Sequence, residues 1–211
     1  MNIYNVIVLD ESGSMSSVYR ETISSMNEVL NGIRKNQNEF PNQRHYVTIV
    51  TFEGEGMSGV KTRRDRVPVG SIESFTQKDY RPGGCTPLYD AMGKTLTELE
   101  QVVFPEDKVM ATVITDGMEN ASQEYSGRAI KSMVSRLREK GWAISYIGAN
   151  QNSVEIARNL NIGNAMNFVA SPEGLEEMSC RFSITNRKMA RMLCDNIDLG
   201  ACEDLFDEEK K

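Results

Sequence analysis

The stretch Ile3-Tyr4-Asn5-Val6-Ile7-Val8-Leu9-Asp10-Glu11-Ser12-Gly13-Ser14 decides how this chain is read. Its first seven residues form a nearly continuous apolar run, broken only by Asn5 and ending on an acid, Asp10. A run of that length, apolar on both faces, predicts a strand buried on both sides, as in a parallel sheet covered by helices. The loop after it is small and polar.

Working outward, strand-length runs alternate with helical spacing. Ile23, Met26, Leu30 and Ile33 recur three or four apart and predict an amphipathic helix. Tyr46 to Phe52 is a second strand, and Gly54-Glu55-Gly56 turns into a polar third strand near Val60 to Val69. The short connection and the charge of that third strand predict an antiparallel edge hairpin. Met92, Leu96, Leu99 and Val103 mark the next helix, Val109 to Thr115 a strand, and Ile130, Met133, Val134 and Leu137 a helix stopped by Gly141. Trp142 to Ile147 and Ala165 to Val169 are strands flanking a short helix at Asn152 to Leu160. Met178, Phe182, Met189 and Leu193 predict a last helix, and the charged tail from Asp204 to Lys211 is expected to fray. The expected fold is α/β: a doubly wound, mostly parallel six-stranded sheet with one antiparallel edge strand and helices on both faces. With no low-complexity linker and no repeat, residues 1–211 are read as one domain.

Composition narrows the functional classes. Of 211 residues, 39% are hydrophobic and 26% charged, which argues against wholesale disorder and a membrane bundle. Thirty acids against 24 bases, net −6, disfavour nucleic acid as the main partner. The basic segment Lys61-Thr62-Arg63-Arg64-Asp65-Arg66 is read as a solvated strand face. Cys85, Cys180, Cys194 and Cys202 lack C-x-x-C spacing, and the one histidine, His45, is remote from them. A zinc cluster is therefore not expected, and the thiols are read as reduced and partly buried. Met1 to Asn5 has no basic n-region, and no run of about 18 apolar residues occurs, so the expected compartment is the cytoplasm.

Three segments carry the chemistry. Asp10-Glu11-Ser12-Gly13-Ser14 presents a carboxylate and two hydroxyls at alternate positions, with Gly13 expected to turn the loop back. Gly83-Gly84-Cys85-Thr86-Pro87 delivers a hydroxyl at the head of a helix. Thr115-Asp116-Gly117 again follows a strand. Ligands of doubly wound sheets gather beyond the carboxyl ends of strands, where the strand order reverses. Asp10, Ser12, Ser14, Thr86 and Asp116 are all hard oxygen donors, a set suited to Mg²⁺, with Mn²⁺ or Ca²⁺ as alternatives. Taken singly, the aspartates could cap turns, and Thr86 before Pro87 could be a helix N-cap. Capping does not explain two serines beside Asp10.

This order of D-x-S-x-S, G-G-x-T-P-L and T-D-G resembles the von Willebrand factor A domain with its metal-ion-dependent adhesion site, of the small intracellular prokaryotic type. The resemblance spans about residues 3–170, and residues 171–211 match no motif. It implies that Asp10, Ser12, Ser14, Thr86 and Asp116 hold a divalent cation, directly or through water. It implies a protein-binding module whose cation is completed by an acidic residue of a partner protein. Glu11 departs from the commonest pattern and is expected to point away from the ion. Met15 and Met118 follow two of the loops and are candidates for an apolar rim, whereas most of the 12 methionines fall on core faces.

Enzyme readings fit less well. A haloacid-dehalogenase-like phosphatase would use Asp10 but needs a second aspartate where Ser12 stands. G-x-S-x-G and the P-loop are both missing. His45 precedes strand two and is expected at the opposite end of the sheet. The chain is read as no enzyme. A metal-dependent hydrolase and a metal-independent scaffold are the alternatives.

Overall fold

A computed structural model describes residues 1–149 and 152–207. Six strands form one sheet: β1 (Asn2–Asp10), β2 (Arg44–Phe52), β3 (Val60–Pro68), β4 (Lys108–Thr115), β5 (Ala143–Ala149) and β6 (Asn164–Phe168). Their spatial order is β3-β2-β1-β4-β5-β6. Every neighbouring pair is parallel except β2 with β3, the antiparallel edge hairpin expected from its turn and charge. The winding reverses at β1, which has β2 on one side and β4 on the other. The crevice above the β1–β4 boundary is therefore the place where this topology leaves room for a ligand.

Residue alternation along β1 feeds two cores. Ile7 and Leu9 face one side, and Val6 and Val8 the other. On the first side lie α1 (Tyr19–Glu39) and α5 (Pro172–Cys194), which bring Met26, Leu30 and Ile33 together with Leu175, Met178 and Phe182. On the second lie α2 (Leu88–Glu100), α3 (Gly127–Glu139) and α4 (Ser153–Asn159), through residues such as Leu96, Val134 and Ala157. The ends follow local chemistry. Ser126 and Ser171 cap α3 and α5 with their side chains, Pro172 opens α5, and Gly141 closes α3 at φ +82°.

The amino end of the sheet is closed by a buried polar chain. Asn5, the one break in the first apolar run, donates from Nδ2 to His45 Nδ1 at 3.2 Å. That leaves the imidazole proton on Nε2, which faces Gln43 Oε1 at 3.0 Å. Asn186 of α5 donates to Asn5 Oδ1 at 3.1 Å and accepts from Asn36 Nδ2 of α1 at 2.8 Å. Gln43 Nε2 donates to the carbonyl of Ala190 at 2.6 Å. Each group meets a partner of the opposite kind, so α5 is pinned to β1, β2 and α1 at modest cost in buried polarity.

The tail corrects the sequence reading. Leu205 and Phe206 are buried, the first beside Met189 and Leu193 and the second beside Phe168 and Phe182. Asn164 accepts from the Leu205 amide at 3.1 Å, and Arg181 holds the Phe206 carbonyl at 3.2 Å. Two apolar residues in a charged run dock because the end of β6 leaves apolar surface to cover. The rest of the tail, 208–211, lies outside the described residues. The thiols are also more open than expected: Cys85, Cys180 and Cys194 are exposed, Cys202 is half-buried, and all four are unpaired. Among the described residues no helix is long and apolar enough to cross a membrane.

Candidate metal centre

The three segments meet above the β1–β4 boundary. The register pairs Leu9 with Ile114, which brings the ends of both strands level. Asp10 is fully buried there. Its Oδ1 accepts from the Ser12 amide at 2.7 Å and its Oδ2 from the Thr115 hydroxyl at 2.5 Å. Ser14 Oγ donates to Asp116 Oδ1 at 2.6 Å and stands 3.2 Å from Ser12 Oγ. Asp10, Ser12, Ser14 and Asp116 thus form one continuous polar group drawn from two segments.

Thr86 joins from the third. A Cβ placed on Gly117 would lie 3.0 Å from Thr86 Oγ1 and 3.5 Å from Asp10 Oδ2, so glycine is what lets these loops close together. Thr86 is not the N-cap of α2. Pro87 occupies that position with no side-chain cap bond, while the Thr86 amide donates to Asn120 Oδ1 at 2.8 Å. The Thr86 residue is buried, and its hydroxyl bonds to none of the described residues.

Five side chains expected to converge from the sequence do converge. Neighbouring oxygens in an octahedral Mg–O shell stand roughly 3 Å apart, the scale of the serine–serine spacing here. The donors are carboxylate and hydroxyl oxygens, without the sulfur or imidazole that zinc favours.

Electrostatics also suit a cation. Burial pushes Asp10 up to about 6, and burial raises Asp116 as well. No lysine or arginine among the described residues pairs with either carboxylate. The cations of the 61–66 segment are committed to other acids: Lys61 to Glu53, Arg63 to Glu11, Arg64 to Asp79 and Arg66 to Asp65. The Lys61–Arg66 segment is therefore a self-neutralised strand face. Glu11 points away from the group toward Arg63, as expected.

Other expectations change. Gly13 does not adopt a positive φ. The loop turns through a 3₁₀ segment at Gly13–Val18, and the left-handed glycine is Gly84 at φ +64°. Met15 is fully buried in the core and cannot rim the site, whereas Met118 is 72% exposed beside it. His45 sits at the far end of the sheet from both serines, as expected.

Several supporting residues escaped the sequence reading. Thr115 braces Asp10, and the Tyr80 hydroxyl holds the Asp10 carbonyl at 2.8 Å. Asp90, fully buried, accepts from the amides of Gln123, Glu124 and Tyr125 at 2.8, 3.0 and 2.8 Å and pins the loop after Asp116. Asp90 reads in sequence as an ordinary acid in the first turn of a helix. The only hint is the density of turn-forming polar residues at 117–126.

The family model for the von Willebrand factor type A domain matches residues 6–181. Solved structures with the same fold include pilus adhesin SpaC from Lactobacillus rhamnosus GG, at TM-score 0.68 and 14% identity, covering 89% of this chain and 30% of that one. Proximal thread matrix protein 1 from the mussel byssus, described with a zinc-occupied MIDAS motif, aligns at TM-score 0.60 and 17% identity over 90% of this chain and 46% of that one. The SpRpn10 VWA domain aligns at 0.58 and 12% identity, over 87% and 94%. The chain spans less than half the length of the adhesin and the byssus protein. No curated protein matches it.

Proposed function

Because the chain belongs to the von Willebrand factor type A domain family, we propose that it is a cation-dependent protein-binding module. In this reading Asp10, Ser12, Ser14, Thr86 and Asp116 hold Mg²⁺, and an acidic residue of a partner protein completes the shell. The observation that carries the reading is the meeting of five hard oxygens from three distant segments at one strand-order reversal.

The residues divide the work. Asp10 and Asp116 contribute two negative charges against a divalent ion, so the filled site is close to neutral. Ser12, Ser14 and Thr86 add oxygens without adding charge. Thr115, Tyr80 and Asn120 hold these groups in place through the bonds described above. Bound there, the cation supplies an electrophilic centre with positions left for an oxygen of another molecule. Small residues at Gly13, Ser14, Gly83 and Gly84 keep the approach to it open.

Non-catalytic action and a cytoplasmic setting belong to the same proposal. No imidazole stands near Ser12 or Ser14, since His45 lies at the other end of the sheet. The ion-paired 61–66 segment offers no free basic stripe to nucleic acid.

Calorimetric titration with Mg²⁺ or Mn²⁺ tests the reading. Wild type is expected to bind weakly, and Asp10→Ala or Asp116→Ala to abolish the heat. Unchanged binding in those variants refutes the site. Partner capture is expected to be lost in EDTA and restored by Mg²⁺. Capture insensitive to the chelator leaves a metal-independent scaffold, and p-nitrophenyl phosphate turnover lost in Asp10→Asn would favour a hydrolase.

A further inference from the structure

Glu11 stands between two proposed ligands, Asp10 and Ser12, yet sends its carboxylate the other way. It is 1% exposed. Both of its carboxylate oxygens accept from Arg63 Nη2, at 3.0 and 2.8 Å, and Oε1 also accepts from the Arg81 amide. Arg63 is held in turn by Nε donating to Thr51 Oγ1 at 2.8 Å. The main chain of Glu11 is tied as firmly: its amide donates to the Phe52 carbonyl at 2.8 Å and its carbonyl accepts from the Gly83 amide at 2.8 Å. One residue therefore joins the end of β1, the end of β2, strand β3 and the segment leading to Thr86. A second rung, Gly13 N to Gly84 O at 3.1 Å, runs alongside.

We propose that Glu11, clamped by Arg63, is a positioning residue that fixes Thr86 relative to Asp10, Ser12 and Ser14 and so makes the site prefer Mg²⁺ over Ca²⁺. The inference rests on the cation-binding reading above. Mg²⁺ demands a small, near-ideal octahedron of oxygens, whereas Ca²⁺ accepts longer bonds, more ligands and irregular geometry. An oxygen set whose halves are stapled together favours the smaller ion. When the staple is cut, the buried partner charge must be rehydrated, the 81–84 segment drifts from the 11–14 loop, and the advantage of Mg²⁺ falls. Arg63 also cancels the third carboxylate of the neighbourhood, so that two remain to balance the ion.

The test compares wild type, Arg63→Met, Arg63→Lys and Glu11→Gln, with Arg66→Met as a control on the same strand. In EDTA, amide hydrogen exchange is read at Arg81 and Gly83. With cation, Mg²⁺ and Ca²⁺ dissociation constants are measured separately. Arg63→Met is expected to speed exchange at both amides and to move the Mg²⁺/Ca²⁺ preference about tenfold toward Ca²⁺, the low end of the scale on which outer-shell supports change metal affinity. Arg63→Lys is expected to recover part of that shift, and Arg66→Met to change neither readout. If Arg63→Met fails to fold, Glu11→Gln carries the same comparison. Equal weakening of both cations, or an unchanged ratio, overturns the positioning role while leaving the cation site standing. A wild type that binds neither cation overturns the cation reading and the selectivity role with it.

Discussion

The two ends of the β-sheet gather five polar side chains each, to opposite effect: all five are buried at the amino end, whereas at the carboxyl end Ser14 is exposed and Asp116 half-buried. At the amino end, Asn5, Asn36, Gln43, His45 and Asn186 are neutral, and each donor finds an acceptor within the protein. At the carboxyl end, Asp10, Ser12, Ser14, Thr86 and Asp116 offer oxygen only, with two charges of one sign and no cationic side chain against them. Buried polarity alone therefore does not distinguish a site from a brace. Uncompensated polarity of one kind does, because it leaves work for an outside group.

The contrast can be broken first at Asp10. Asp10→Asn keeps the shape and removes a charge, and cation affinity is expected to fall about a thousandfold, beyond the loss seen for outer-shell residues. Calorimetry checks this, and His45→Gln at the other end is expected to leave the affinity unchanged.

The pH dependence of stability, measured in EDTA, should separate the ends by sign. Asp10 is held at about 6 in the native protein against 3.8 in its ordinary state, so its contribution is full below 3.8 and is lost as pH rises through 6. Burial lowers His45 to about 4 from 6.5, so its contribution is full above 6.5 and is lost as pH falls toward 4. Each amounts to about 3 kcal/mol, and in the wild type they largely offset. Urea midpoints between pH 4 and 7 should show stability rising with pH in Asp10→Asn and falling with pH in His45→Gln. Profiles of the same slope would erase the distinction.

A smaller effect is expected from Asn186→Ala. It orphans Asn5 Oδ1 and Asn36 Nδ2 and should cost about 2 kcal/mol in denaturant unfolding, with cation affinity intact. Gly117→Ala should do the reverse. The added methyl meets Thr86 Oγ1 at 3.0 Å, so cation affinity is expected to drop about tenfold, or ~1.4 kcal/mol, with little loss of stability.

Much of this was legible in the chain because short-range rules carried it. The apolar run ending on Asp10 announces both a buried strand and where its loop emerges. The charged 60–69 stretch after a glycine turn announces an edge. The five oxygen donors were readable because each lies just past a strand or at a helix head. What escaped depends on distant partners. Asn5 looks like a flaw in an apolar strand until Asn186, 181 positions later, is seen to meet it. Asp90 looks like a helix-dipole acid until the 123–125 amides reach it. Leu205 and Phe206 are two apolar residues among acids, and no local pattern says which surface they cover. Met15 and Met118 hold similar places after their loops, and only the 3₁₀ turn after Ser12 sends the first inward.

The outermost strand, β3, has one further consequence. Its pairing with β2 is irregular on either side of Ile49, and its cations are tied to acids of the same chain. An irregular, charge-studded rim is a poor template for a strand from another molecule. At high concentration the protein is thus guarded on that side against stacking into fibrils.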